Sequence, residues 1–434
     1  MLQPAEKEKV LGINPLASVV EAEIKKNGPM PFSRYMQIWL NGAYGKTGEF
    51  FPGYYNGKNV VIGDNDAKAL WENSDFFTPP EITPLLGITV AKQIIDVWES
   101  MGKPHDFRIV EMGAGTGALA HDILFGLDYF QKKDPTLGSL DAIKYIIIEM
   151  SPTLLEKQRK RQSLRSPRVE FINASAFSLP LRDITGVFIS CELPDAFPVD
   201  IVVKTDSGEW KELFVDIGNQ DRFKQIFRRP SEEVKNFLHS FQPEIMPYES
   251  YPVNIQAARW IKEMSRSLKK GYVITIDYDC WSRDGNICIS SAKNKATRGG
   301  KEDPFAFYYK QNIGQCDLTS GVDFQTLVDG GKRNGFMAEG YVTLPGFLFG
   351  LRFDALSREI YTETGNIIGE RRKDRIMSNA IYYEDEGAHW KVLIQSKGIE
   401  NGQKPLAGVQ FTFNDGQYGG TSDEAREKFR PVKL

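Results

Sequence analysis

The stretch Phe107-Arg-Ile-Val-Glu-Met-Gly-Ala-Gly-Thr-Gly-Ala-Leu-Ala-His-Asp-Ile-Leu124 constrains the fold more than any other part of the chain. It reads as a short buried strand, a glycine-rich turn and a helix. Ile109 and Val110 are strand formers in an apolar run. Gly113, Gly115 and Gly117 follow with one residue between each, Ala114 filling the first gap, and the sequence from Ala118 to Leu124 takes helical periodicity. Glycine accepts positive φ and lets backbone come close to a ligand. The helix N-terminus just beyond carries unpaired N–H groups and a partial positive charge. Such a turn lies at the carboxyl end of a parallel sheet and suits a nucleotide-like ligand.

The rest of the chain supports a parallel α/β core. Tyr145-Ile-Ile-Ile-Glu149 reads as a second buried strand ending in an acid, and Met150-Ser151-Pro152 opens a helix rich in Lys and Arg over 155–164. Val169-Glu-Phe-Ile172 is a third strand, followed by Asn173-Ala174-Ser175-Ala176, and Thr185-Gly-Val-Phe-Ile-Ser190 a fourth, running into Cys191-Glu192-Leu-Pro-Asp195. Gly271-Tyr-Val-Ile-Thr-Ile-Asp-Tyr278 is a fifth, and Gly340-Tyr-Val-Thr-Leu344 and Trp390-Lys-Val-Leu-Ile-Gln395 can complete the sheet. Residues 200–267 break this rhythm. Ile201–Lys204 and Trp210–Val215 read as paired strands around Asp206-Ser-Gly208, then come a charged segment and a helix over 254–268. The expected organisation is an N-terminal helical or lid region over 1–104, a core over 105–398 with an inserted cap at about 200–267, and an appendage over 399–434. Helices are expected at 16–26, at 32–40 with Ser33 as N-cap, and at 84–101. The aromatic, glycine-rich stretch 44–55 reads as a loop with a satellite core, residues 282–316 as a long loop, and Asp317–Phe324 as the start of a helix.

With 434 residues, 41% hydrophobic and 26% charged, the chain has room for a large α/β core plus additions. A net charge of −3 gives no reason to expect nucleic acid as a partner. No apolar run reaches membrane-spanning length, and the first ten residues lack the marks of a signal or transit peptide, so the expectation is a cytoplasmic protein without a membrane partner. Cys191, Cys280, Cys288 and Cys316 form no CxxC pair and read as free thiols; the four histidines form neither HxH nor HExxH, so no metal site is expected.

Two ligands compete for the turn. Gly113-x-Gly115-x-x-Ala118 formally fits the dinucleotide fingerprint, which calls for an acid roughly 20 residues further on. The strand-terminal acid here is Glu149, 32 residues past Gly117, and Glu111 ends strand one, where it would oppose a phosphate. S-adenosylmethionine carries an amino group and a sulfonium but no phosphate. Glu111 near its amino acid portion, Glu149 on its ribose hydroxyls and Ala174 and Ser175 near its adenine make a consistent set. The methyl donor is preferred; an NAD-dependent oxidoreductase is the alternative.

The ordered segments also carry a resemblance. Phe32-Ser-Arg-Tyr-Met36, Gly53-Tyr-Tyr55, Thr78-Pro-Pro-Glu81, Glu111-Met-Gly-Ala-Gly-Thr-Gly117, Glu149-Met-Ser-Pro152, Cys191-Glu-Leu-Pro-Asp-Ala-Phe-Pro198, Ile276-Asp-Tyr278 and Asp317–Phe324 together resemble the MidA-like family of class I methyltransferases over roughly 30–398. The resemblance implies a Rossmann-like, seven-stranded, mostly parallel sheet with helices on both faces, and S-adenosylmethionine as cofactor. It brings Tyr55, Thr78 and Met150 into the cofactor site beside Glu111, Gly113, Ala114, Gly115, Gly117, Glu149, Ala174, Ser175 and Glu192. The family includes a mitochondrial complex I assembly factor that methylates a protein arginine. The chain departs from the family at Cys191 (Asn there), at Asp279 (Gly), in the absence of a His within 290–297, and at Leu344-Pro345 (Thr-Gln).

Methyl transfer from a sulfonium is an in-line displacement in which the enzyme positions the acceptor and stabilises charge. Glu192 and Asp195, after strand four, are the candidate catalytic pair; they could hold a guanidinium or accept a proton. Asp277 and Asp323 are weaker candidates, and Tyr54 and Tyr55 could close over the methyl donor. The expected partner is a methyl acceptor, either a protein arginine or a small molecule taken by a divergent N- or O-methyltransferase. A homodimer and a non-catalytic assembly role complete the alternatives.

Overall fold

The computed structural model describes residues 14–57, 78–243, 245, 249–280, 289–291, 308–364, 390–399 and 405–410. Cys288, residues 75–77, the expected loop over 282–288 and 292–307, the charged stretch over 365–389 and the tail past 410 lie outside the described residues. The chain folds into two compact units, one drawn from Met1–Val61, Pro194–Ala257 and Cys280–Asp323, the other from Ile62–Leu193, Ala258–Asp279 and Phe324–Leu434.

The larger unit is built on seven strands: β1 (Arg108–Met112), β2 (Lys144–Glu149), β3 (Val169–Asn173), β4 (Ile184–Cys191), β5 (Leu268–Tyr278), β6 (Met337–Thr343) and β7 (Trp390–Lys397). Their order across the sheet is β6-β7-β5-β4-β1-β2-β3. The pairs β1/β2, β2/β3, β1/β4 and β4/β5 are parallel, and β7 runs antiparallel to both β5 and β6. This is the seven-stranded, mostly parallel sheet of the class I methyltransferase fold. A parallel sheet is covered on both faces, which is why its strands are continuous apolar runs: Ile146, Ile147 and Ile148 of β2 are all buried, as are Val187, Phe188 and Ile189 of β4.

The helices of this unit are α1 (Pro79–Ile82), α2 (Leu85–Ser100), α3 (Ala118–Lys133), α4 (Pro152–Lys160), α5 (Ile255–Ser267), α6 (Phe324–Arg333), α7 (Leu344–Gly350) and α8 (Phe353–Thr364). Leu86, Val90 and Ile94 of α2 and Leu119 and Ile123 of α3 share one buried cluster with Ile109, Ile147, Val187 and Ile274 of the sheet. Because the strands are parallel, the loops that follow β1, β2, β3, β4 and β5 gather at one edge. The antiparallel β7 begins at that edge, so Trp390 and Lys391 join them.

The smaller unit carries the helices Pro15–Asn27 and Phe32–Asn41 and an antiparallel sheet in which Trp210–Ile217 pairs with Met30–Pro31, Asp200–Lys204 and Phe223–Arg228, and Asp200–Lys204 also pairs with Ser250–Val253. Four expectations need correction. Ser33 is not the N-cap: Phe32–Asn41 is preceded by Pro31, and the Ser33 N–H instead donates to Asp200 Oδ1 at 3.1 Å. The charged segment after 215 contains the strand Phe223–Arg228, paired antiparallel along its whole length with Trp210–Ile217. The stretch 44–55, expected as a loop, includes a short hairpin in which Gly42–Tyr44 pairs with Phe50–Pro52 and Tyr44 is 71% exposed, ahead of the buried Tyr54. Asp317–Phe324 begins as strand Leu318–Ser320, paired with Ile289–Ser291, and the helix starts only at Phe324.

Candidate active site

Gly113, Gly115 and Gly117 have φ of +71°, +54° and +80°. An L-residue resists this left-handed region, so the turn needs glycine. The three are not equivalent. A Cβ on Gly113 would lie 2.8 Å from Leu193 Cδ1 and one on Gly117 2.7 Å from Leu164 Cδ1, whereas a Cβ on Gly115 would meet nothing within 4 Å. The turn is therefore packed at its ends and open at its middle. Ala114 is buried, its carbonyl accepts from Gly117 N at 2.7 Å, and Gly113 N donates to Ile148 O at 3.0 Å, tying the turn to β2.

Both acids expected here are buried. Glu111, at 2% exposure, accepts a 2.6 Å hydrogen bond from Tyr145 OH. Burial raises its pKa to about 7 against the lowering effect of that bond, with the Glu149 carboxyl adding to the rise. Glu149, at the end of β2, accepts from Ser151 N at 2.8 Å and from Gln158 Nε2 at 3.3 Å, and burial raises it to about 7 as well. Met150 is 44% exposed, unusual for a large apolar side chain beside a buried acid. Ala174 N donates to Glu149 O at 3.2 Å, and the Asn173 amide donates to Glu149 O and Met150 O, so the 173–175 segment is laced to the end of β2. Ser175 Oγ accepts from Phe177 N at 3.2 Å.

Thr78 precedes α1 without a side-chain capping bond. The neighbour that reaches the turn is Glu81, hydrogen-bonded by Thr116 Oγ1 and raised in pKa by burial. Sequence reasoning passed over Glu81, Tyr145, Gln158, Arg161 and Trp390. Glu81 stood within the Thr-Pro-Pro-Glu segment and was recoverable; the others carry no local signal.

Glu192 follows β4 with φ of +51°, a left-handed conformation for a residue with a Cβ. Its N–H donates to Ile276 O of β5 at 2.9 Å, and its Oε1 accepts the indole N–H of Trp390 at 2.8 Å. Trp390 packs on Tyr278, its register partner across β5 and β7, with ring centroids 4.8 Å apart. Three strands thus fix one carboxylate, and its neighbour Leu193 is the residue that packs on Gly113. The departures nearby have structural accounts. Asp279 accepts from Tyr341 OH at 3.0 Å and opposes the burial that lowers Lys391 to about 8. Leu344-Pro345 opens α7, capped by Thr343. Asp277 is buried and accepts from Tyr278 N.

The other expected residues belong to the smaller unit. Tyr55 OH donates to Asp317 Oδ1 at 2.9 Å, and burial drives its pKa up. Asp195, inside the turn Pro194–Ala196, is buried; burial and the Asp317 carboxyl push its pKa well above the usual range. Asp323 accepts from Tyr251 OH. Glu111, Gly113, Ala114, Gly115, Gly117, Glu149, Met150, Ala174, Ser175, Thr78 and Glu192 are gathered in the sheet unit; Tyr55 and Asp195 share a second cluster in the other.

A glycine turn open at its middle, two buried carboxyls able to accept from hydroxyls or an amino group, and an exposed methionine beside a strand-terminal acid fit an adenosyl ligand with a cationic amino acid portion. The fold and this donor set define a class I methyltransferase. A family model described as "Putative S-adenosyl-L-methionine-dependent methyltransferase" matches residues 89–342, and the chain belongs to that family. It is 26% identical over 345 residues to the Drosophila melanogaster mitochondrial protein arginine methyltransferase NDUFAF7 homolog, covering 73% of this chain and 70% of that one. It is likewise 26% identical to human mitochondrial protein arginine methyltransferase NDUFAF7, covering 75% and 70%. Among solved structures it is similar to a Burkholderia thailandensis protein described as a "COG1565 superfamily member and likely methyl transferase", bound to S-adenosyl-homocysteine, with a TM-score of 0.71, 26% identity and coverage of 94% and 97%.

Proposed function

We propose that this S-adenosylmethionine-dependent methyltransferase moves its methyl group in line onto a nitrogen or oxygen of its acceptor, with Glu192 as the acceptor contact. The observation that carries this reading is the Glu192 carboxylate, held by Trp390 in a strained backbone position next to the residue that packs on the glycine turn. Bound S-adenosylmethionine supplies an electrophilic methyl group on a sulfonium. The residues of the chain do the rest. The turn at Gly113–Gly117 admits the ligand, Glu149 accepts from ribose hydroxyls, and Glu111 accepts from the amino group. Met150, Ala174 and Ser175 line the base. Glu192 orients the acceptor and takes up its proton on the carboxylate.

A protein arginine is the acceptor suggested by the names of the Drosophila and human relatives. The departures at Cys191, Asp279 and Leu344-Pro345 support a small molecule instead. Titration calorimetry with S-adenosylmethionine and with NAD tests the methyl donor: micromolar binding of the first alone is expected, and a folded sample that binds neither sinks the reading. Transfer of labelled methyl from S-adenosylmethionine into host lysate, separated into protein and small-molecule fractions, tests the acceptor; label confined to the small-molecule fraction removes the arginine reading. Glu192→Gln should keep methyl-donor binding and lose transfer, whereas unchanged transfer removes Glu192 from its role.

A further inference from the structure

Gln158 lies on α4, in a stretch otherwise given to solvated Lys and Arg, yet it is fully buried. Its Nε2 donates to Gly115 O at 2.9 Å and to Glu149 Oε2 at 3.3 Å. Both partners are acceptors, so only the nitrogen end of the amide can serve them, and this settles the side-chain orientation. Oε1 is buried and accepts from no group among the described residues. Leaving a buried acceptor unsatisfied is costly, and a leucine would pack the same helix face without that cost. Three residues on, Arg161 Nη1 donates to Thr116 O at 3.2 Å and to Thr116 Oγ1 at 3.4 Å. A Cβ on Gly117 would meet Leu164 Cδ1 at 2.7 Å and Gln158 Cγ at 3.6 Å. Segment 158–164 thus backs the glycine turn, and Gln158 touches its open middle residue and the acid of the next strand together.

We propose that Gln158 is the positioning residue of the cofactor site: its amide locks the carbonyl of the middle glycine to the Glu149 carboxylate, so that the turn after β1 and the acid ending β2 meet the ligand as one preformed surface. This rests on the S-adenosylmethionine reading of the site. Preorganisation of this kind raises affinity by removing the cost of ordering the two halves separately. It also acts on charge. The amide stabilises ionised Glu149, whose other neighbours are the N–H groups of Met150 and Ser151 and the carboxyl of Glu111, itself surrounded by Tyr145, Asp122 and Arg161.

The test is calorimetric titration of the full chain with S-adenosylhomocysteine between pH 5.5 and 8.5. Wild-type affinity is expected to rise with pH as Glu149 ionises. Gln158→Leu should weaken binding at least about tenfold at pH 7.5, the size of one lost hydrogen bond to a charged group, and should shift the pH midpoint of that rise upward. A purely structural side chain would leave that midpoint unmoved. If the leucine variant does not fold, the nearly isosteric Gln158→Glu carries the test: a second carboxyl beside Glu149 should weaken binding most at pH 8.5 and progressively less toward pH 5.5. A folded Gln158→Leu that binds within twofold of wild type at an unmoved midpoint overturns the inference alone, as does a Gln158→Glu variant with wild-type affinity at pH 8.5. No binding by the wild type overturns the cofactor reading, and this inference with it.

Discussion

Tyr145 and Glu111 show what a single side chain contributes here. The phenol is buried and its hydroxyl lies 2.6 Å from a carboxyl that is also buried. Tyr145→Phe leaves that carboxyl without the bond that favours its ionised form. The variant is expected to lose about 1–3 kcal/mol of stability. The loss should be larger at pH 8, where Glu111 is ionised, than at pH 5.5, where it is protonated; urea denaturation at the two pH values measures the difference. Equal losses would mean that the hydroxyl serves packing alone. Glu111 and Glu149 were legible in the sequence because each ends a strand next to a turn. Tyr145 was not, because nothing in Tyr-Ile-Ile-Ile-Glu says which face of β2 meets the acid of β1; the parallel register Ile109↔Tyr145 decides it.

At the scale of the element, the turn between β1 and α3 separates backbone strain from ligand space. Gly115→Ala and Gly102→Ala impose the same kind of left-handed strain, φ being +54° and +82°, and neither added Cβ meets an atom within 4 Å. Each should cost about 1–2 kcal/mol of stability. Gly115→Ala should in addition lower S-adenosylhomocysteine affinity tenfold or more, because its Cβ enters the space the ligand needs, while Gly102→Ala leaves affinity within twofold. Paired thermal and calorimetric measurements check this, and equal affinities would show that the ligand does not approach Gly115. The strand–turn–helix was readable because its apolar run, glycine spacing and helical periodicity are all local. The strand Phe223–Arg228 and the pair Ile289–Ser291/Leu318–Ser320 were missed for the converse reason: their strand character comes from partners, not from alternation within the segment.

Across the whole molecule, the buried acids set the dependence of stability on pH. Glu111 and Glu149 are raised from 4.5 to about 7, and Asp195 is raised as well. A group whose folded pKa lies above its unfolded value contributes stability that is complete below the unfolded pKa and is lost as pH rises through the folded pKa. Stability of the ligand-free protein should therefore fall between about pH 4.5 and 7.5, by a few kcal/mol for each fully buried acid. Lys391, lowered by burial to about 8, works in the opposite direction from about pH 8 upward, since the unfolded chain then binds the extra proton. A shallow minimum near pH 7–8 is expected in denaturation midpoints measured from pH 5 to 9. Glu111→Gln and Glu149→Gln should each flatten the falling limb; a midpoint that rises steadily from pH 5 to 7.5 would contradict the buried-acid account.

The sequence by itself determined the parallel α/β core, the glycine turn with its two strand-terminal acids, and the methyl donor they suit, because each depends on short-range patterns: apolar runs, positive-φ glycines and an acid at the end of a strand. It also marked Glu192, from its position after strand four. Only the tertiary structure decided what holds these groups. Trp390 reaches Glu192 across 198 residues of chain, Gln158 joins Gly115 to Glu149, and Tyr145 covers Glu111. Each of these bonds joins groups that the packing of strands and helices brings together from separate parts of the chain, and no local sequence pattern encodes which side chains will meet there.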